Sequence, residues 1–274
     1  MIKKYQPPRF SRWYSGKTVL ITGSTGGIGR EFSRQLNECG ARLLLCGRDK
    51  SAMNSLMNEL QTKASFPIEH FLGDLSDKNA FHKIINSIQQ KYKVDILVNN
   101  AGFGYINDFI NMSSDNIASM IEVNCAVMAN LCRSFIPQMK GRAGTGMLNV
   151  GSLASFFPVP GSALYGATKH FVLGFNDALH QELRSFGVHV SGVYPGITES
   201  KFHERASNGK ITQVPGAMSA AIVVQAALQG LSENKLKIIP GLSNHMKLMI
   251  AACMPRTMQL RISYANSQKR NQSK

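Results

Sequence analysis

No paired-cysteine pattern occurs in this sequence. Its five cysteines, Cys39, Cys46, Cys125, Cys132 and Cys253, are odd in number and scattered, with no CxxC pair. That excludes a disulfide framework and points to reduced thiols in a cytoplasmic protein. No HExxH motif or clustered His/Cys ligand set is present, so no metal is expected. Long apolar runs are missing too: the stretch 248–254 is far too short to span a bilayer. The lysines of the opening segment have no apolar run behind them, so no signal peptide is expected. Neither a fixed-period repeat nor a Gly/Ser- or Pro-rich linker divides the 274 residues, and one domain is expected.

Acids are absent from both ends. Residues 1–30 carry Lys3, Lys4, Arg9, Arg12, Lys17 and Arg30. Residues 234–274 carry Lys235, Lys237, Lys247, Arg256, Arg261, Lys269, Arg270 and Lys274. Nearly all of the +15 net charge therefore sits in these two segments, and the centre is close to neutral. Two readings stand: solubility alone, or peripheral contact with an anionic membrane. No DNA- or RNA-binding motif accompanies the basic ends, so no nucleic-acid partner is expected.

What is present is a regular alternation of short apolar runs with longer amphipathic ones, the mark of repeated βα units and a mostly parallel sheet. Strands are predicted at 18–22, 42–46, 68–72, 95–99, 147–150, 189–194 and 236–239. Helices are predicted at 27–39, 50–62, 77–92, 115–139, 162–186 and 219–232, with Asp77 and Ser114 at N-cap positions. A core of 17–240 is expected, between a basic extension at 1–16 and another at 241–274 that becomes disordered from about Asn266.

The segment TGSTGGIG runs from the first strand into the first long helix. Gly23, Gly27 and Gly29 permit a tight turn and close approach of a pyrophosphate to the helix N-terminus, with Thr22, Ser24, Thr25 and Ile28 alongside. At the end of the second strand, an NAD site places a carboxylate for the ribose hydroxyls; this chain has Gly47 followed by Arg48. A guanidinium there can grip a 2′-phosphate, which favours NADP(H); the competing reading is a solvated loop charge. Arg30 is expected to add positive potential, partly offset by Asp49.

Tyr165 and Lys169 are four residues apart, so on a helix they share a face. An ammonium beside a phenol is expected to lower its pKa toward the range useful for general acid–base work. Ser152, at the end of the preceding strand, offers a hydroxyl to a substrate oxygen. His170 is adjacent to Lys169 and points elsewhere on the helix, so it is not taken as catalytic.

These motifs resemble, in order and over 17–239, the compact branch of the short-chain dehydrogenase/reductase family. The resemblance implies a doubly wound, Rossmann-like α/β fold: a mostly parallel seven-stranded sheet with helices on both faces. It implies hydride transfer between NADP(H) and a small carbonyl or alcohol substrate. Tyr165 would be the acid–base group, Lys169 its partner and a ribose ligand, Ser152 the substrate-orienting hydroxyl, and Asn124 the holder of a relay water. Asp74 matches the acid that meets the adenine, with Leu75 beside it. Asn99, Asn100, Ala101 and Gly102 match the NNAG segment beneath the cofactor. Pro195, Gly196 and Thr198 match the segment that meets the carboxamide. The family's habit of pairing through the helices bearing Asn124 and Tyr165 implies a homodimer or homotetramer. The alternative is an NADP(H)-binding regulator without turnover.

After Thr198, residues 199–216 are polar and weakly patterned, which fits a substrate lid carrying Lys201, His203 and Arg205. Phe156, Phe157 and Pro158 are expected to wall an apolar pocket. The C-terminal extension resembles that of the acyl- and ketone-reducing group labelled DltE-like. Its Met246, Leu248, Met249 and Ile250, then Met258, Leu260 and Ile262, face either the core or a membrane interface.

Overall fold

The computed structural model describes residues 10–212 and 214–272; Lys3, Lys4, Arg9 and Lys274 of the basic ends lie outside them. The strands are β1 (Thr18–Thr22), β2 (Arg42–Gly47), β3 (Glu69–Leu72), β4 (Ile96–Asn99), β5 (Gly146–Val150), β6 (His189–Val193) and β7 (Lys237–Ile238). They form one parallel sheet in the order β3-β2-β1-β4-β5-β6-β7. The order reverses between β1 and β4. In such sheets the crevice at the carboxyl ends of the strands, at that reversal, is where ligands bind.

The helices are α1 (Ser11–Tyr14), α2 (Gly27–Glu38), α3 (Lys50–Gln61), α4 (Lys78–Lys91), α5 (Ser114–Ile121), α6 (Met128–Met139), α7 (Ala163–Arg184), α8 (Phe202–Ala206), α9 (Ala220–Ser232), α10 (Leu242–Cys253) and α11 (Arg256–Gln272). Alternate strand residues enter two separate cores, one on each face of the sheet. Val19, Ile21, Leu43 and Leu45 pack with Phe32, Leu36 and Leu56 and with Val223 and Leu228 of α9. Leu20, Leu44 and Leu97 pack with Ile84, Ile88, Leu131, Phe135 and Leu183 on the other side. Burial on both faces explains why β1, β2 and β4 read as near-continuous apolar runs, whereas the edge strand β3 is mostly exposed.

Two expectations are corrected. The single helix at 115–139 is instead α5, a π turn over Glu122–Val127, and α6; a π turn inserts one residue that a 3.6-residue period cannot reveal. The N-cap of α5 is Ser113, which accepts from the Asn116 amide, and Ser114 is the first helical residue; Asp77 does cap α4, through the Ala80 amide. Ahead of β1, Tyr14 is fully buried and donates to Leu228 O at 2.7 Å, and Trp13 stacks on His189. Helix α11 runs to Gln272 and contains no glycine or proline.

At the centre of the sheet lies a buried amide chain. Asn99 and Asn149 are register partners on β4 and β5, and Asn99 Nδ2 donates to Asn149 Oδ1 at 2.8 Å. Asn149 Nδ2 then donates to Asn176 Oδ1 of α7 at 3.1 Å, and Asn176 reaches Leu236 O beside β7. This chain ties the middle of the sheet to the helix that carries Tyr165 and Lys169.

Candidate active site

The glycine turn between β1 and α2 is made almost wholly of backbone. Gly23 adopts a φ of 62°, a left-handed conformation open to glycine at little cost. A methyl at Gly29 would collide with Gly23 O, so the helix starts as close to the turn as the chain allows. Asn100 Nδ2 donates to Thr22 O and Gly23 O at 3.1 and 3.0 Å, and Thr22 Oγ1 accepts from the Asn100 and Ala101 amides. The opening amides of α2 lie beyond the helix's own hydrogen-bond ladder, and with the helix dipole they favour an anion. Gly27 is exposed there, Thr25 is half-buried next to Gly47, and Ile28 packs toward the core. Ser24 faces inward: it is fully buried and its hydroxyl donates to Cys46 O.

At the end of β2, Arg48 is 73% exposed and pairs with Asp74, Nη1 to Oδ2 at 3.1 Å. One of its five donors is thereby committed. Asp74 Oδ1 accepts from the Ser76 amide and hydroxyl at 2.9 and 2.7 Å. Those Ser76 bonds, together with Arg48, hold the carboxyl below its usual range against the opposing effect of burial. Leu75 is buried in the core. Arg30 does not serve as a free cation. It pairs with Glu59 on α3 at 2.6 Å and also reaches Ser55. Asp49, expected to offset it, caps α3 through the Ala52 amide.

Across the cleft, four side chains gather from three elements. Lys169 and Tyr165 lie one turn apart on α7. Ser152 caps a short 3₁₀ turn after β5, accepts from the Ala154 amide, and is hydrogen-bonded to Tyr165 through its side chain. Asn124, in the π turn, accepts from the Phe103 amide at 3.0 Å and donates to Phe103 O and Thr168 Oγ1 at 2.9 and 3.1 Å. A Cβ at Gly102 would stand 3.0 Å from Asn124 Oδ1 and 3.8 Å from Lys169 Nζ, so a bare backbone lets these groups meet.

Lys169 is 8% exposed, and its ammonium donates to Val150 O at 2.9 Å. No acid pairs with it among the described ion pairs. Burial drives its pKa down to about 8. Burial also pushes Tyr165 up to about 12, only partly offset by the Ser152 hydrogen bond. The expected lowering of Tyr165 by Lys169 is therefore absent here. The ammonium lies 5.7 Å from the phenol ring centroid and is turned to a carbonyl, so desolvation outweighs it.

The segment after β6 closes this side. Leu153 N donates to Pro195 O, Thr198 Oγ1 donates to Gly196 O, and Thr198 is buried. Asn244 of α10 fits beneath Gly196, where a Cβ would meet it at 2.7 Å. Part of the expected 199–216 lid is helical, as α8, and Ile106 N holds Ala206 O at 2.7 Å. Two contacts here had no signal in the sequence spacing. Ser200 sits on Gly27, leaving 2.5 Å for a Cβ, and the Phe202 ring lies 5.4 Å from the Tyr165 ring. Phe156 turns inward against Tyr194, while Phe157 and Pro158 stay half-buried.

Residues 17–210 match the family model described as short chain dehydrogenase. The chain is 33% identical over 194 residues to sulfoacetaldehyde reductase 2 of Chromohalobacter salexigens, covering 67% of this chain and 73% of that protein. It is 31% identical over 190 residues to the human very-long-chain 3-oxoacyl-CoA reductase, covering 68% of this chain and 61% of the relative. Among solved structures, a short-chain dehydrogenase from Sphingobium yanoikuyae in complex with NADPH superposes with a TM-score of 0.79 at 28% identity. That match covers 86% of this chain and 93% of the other.

Proposed function

Because the chain belongs to the short-chain dehydrogenase/reductase family, oxidoreductases that act on CH–OH and C=O groups with a nicotinamide cofactor, we propose that it is an NADP(H)-dependent reductase or dehydrogenase of a ketone, aldehyde or 3-oxoacyl-type substrate. The observation that carries this reading is the buried Lys169. A lysine held out of water without an acid partner is costly, and a fold retains such a group where chemistry uses it.

The turn at Gly23–Gly29 fits a pyrophosphate, since a bare backbone and free helix amides meet there without a carboxylate. Arg48 fits a 2′-phosphate: it is exposed and keeps donors beyond its bond to Asp74. When bound, NADP(H) supplies the hydride. In this reading Tyr165 gives or takes the proton at the substrate oxygen, and Ser152 Oγ orients that oxygen. Lys169 holds the nicotinamide ribose, and Asn124 positions a water that connects Lys169 to solvent. Phe202 and α8 exclude bulk water from Tyr165. Exposed Ile121 and Phe171, on α5 and α7, support pairing of two copies through those helices. A cytoplasmic location is part of the same reading.

The test is a steady-state screen of NADPH oxidation across ketones, aldehydes, sugars, steroids and 3-oxoacyl thioesters. Turnover of at least one class, with weaker use of NADH, is the expected result. NADPH binding without turnover of any class would favour a regulator instead.

A further inference from the structure

Helix α10 is amphipathic in the wrong sense for a helix that packs on a core. Asn244, Leu248 and Ala251 face the fold, with Asn244 buried and the other two half-buried. The opposite side carries Leu242, Met246, Met249, Ile250 and Cys253, all exposed, with Leu242 at 84% and Met249 at 68%. Their spacing of four, seven, eight and eleven residues from Leu242 makes one continuous stripe. Met258 and Ile262, four apart on α11, are exposed as well, as is Tyr264. The segment 234–274 contains no acid. Lys247, Arg256 and Arg261 are exposed, and none enters an ion pair among the described residues. Elsewhere four arginines are paired, Arg30 and Arg34 with Glu59, Arg48 with Asp74 and Arg142 with Asp95, while Arg12, Arg133, Arg184 and Arg205 are exposed and enter no ion pair among the described residues; what sets 234–274 apart is that it has no acid to pair with.

We infer that α10 and α11 form a docking face for the surface of an anionic lipid bilayer. An exposed apolar stripe on a segment with cations and no acid matches the two attractions that hold an interfacial helix, burial at the acyl boundary and charge at the headgroups. No helix among the described residues is long and apolar enough to cross a membrane, so the contact is peripheral. A second copy is a poorer occupant, because a two-fold pairing would set the same unneutralised cations against each other. The inward sides of these two helices pack beside the cleft. Asn244 lies against Gly196, and Ser267 of α11 lies against Gly161, just ahead of the helix carrying Tyr165.

The experiment is co-sedimentation of the full-length protein with phosphatidylcholine vesicles, with and without phosphatidylserine. One variant carries Leu242→Ser, Met246→Ser, Met249→Ser and Ile250→Ser; a second carries Lys247→Gln, Arg256→Gln and Arg261→Gln. Circular dichroism and sizing accompany each. The wild type is expected to bind the phosphatidylserine vesicles, to bind them less as salt rises, and to lose at least ~10-fold in partition coefficient in either folded variant. Equal binding to both vesicle types, or no binding to either, overturns the proposal. So does wild-type-like binding by the charge variant, which keeps the test decisive if the serine variant fails to fold. A serine variant that changes the oligomeric state but not vesicle binding assigns the stripe to self-association and equally overturns it.

Discussion

On the turn side of the cleft, between β1 and α2, the chain contributes backbone: Gly23 in a left-handed conformation, Gly29 pressed on Gly23 O, and amides left free by the helix start. On the opposite side the π turn, the end of β5 and α7 contribute side chains, each held by specific partners: Asn124 by Phe103 and Thr168, Lys169 by Val150 O, Tyr165 by Ser152. The first wall is specified by the absence of atoms, the second by their presence. Adding a carbon should damage the first, whereas removing one oxygen or nitrogen should disable the second with little change in shape.

The sharpest way to separate the walls is Tyr165→Phe. Turnover is expected to fall by ~1000-fold or more while NADPH affinity, measured by fluorescence titration, stays within about threefold. Gly29→Ala should do the reverse. Its methyl cannot coexist with Gly23 O, so NADPH affinity should drop by ~10-fold or more and unfolding free energy by ~1–3 kcal/mol. A variant that keeps wild-type affinity would break the comparison.

Arg48→Asp tests a charged side chain on the backbone-built wall. It replaces an attraction for a 2′-phosphate with a repulsion and sets the introduced carboxylate close to that of Asp74. The ratio of kcat/KM for NADPH over NADH should fall by at least ~10-fold. A wild type that already uses the two cofactors equally would remove the premise.

The smallest effect concerns stability. The pKa of Lys169 is about 8 in the fold and 10.5 when unperturbed, with burial as the main cause. Below pH ~8 both folded and unfolded chains hold the proton, and the fold bears the full cost of the buried charge. Between pH ~8 and ~10.5 the unfolded chain binds more protons, so stability should rise with pH across that window. Lys169→Met, without the charge, should be more stable than wild type by ~1–3 kcal/mol near pH 7. The gap should close as the pH approaches 10.5, by denaturant unfolding without cofactor. Equal stability at both ends would show that water relieves the burial.

Most of the fold was legible because both sheet faces are buried and its strands read as β-branched and leucine-rich runs. Features made by residues distant in sequence were not. Arg30 reads as a free cation until α3 brings Glu59 to it, and nothing in the spacing links Ser200 to Gly27 or Phe202 to Tyr165. The four-residue interval between Tyr165 and Lys169 gave their common face correctly. It carried no information on desolvation, and desolvation sets both pKa values. The π turn escaped for a similar reason: Asn124 is drawn inward by Phe103 and Thr168, partners supplied by other elements.

The amide chain Asn99–Asn149–Asn176 bears on how the sheet assembles. Parallel strands are joined by long crossovers, so β4 must find β5 across nearly fifty intervening residues, and pairings of this kind form slowly. Leucine and valine neighbours would tolerate a slipped pairing, since one aliphatic side chain replaces another at modest cost. A slip of even one residue, however, turns an asparagine toward hydrocarbon and leaves its amide without a partner. The two strand asparagines thus favour the aligned pairing, in which the Asn99–Asn149 bond forms although Asn99 Oδ1 itself has no partner.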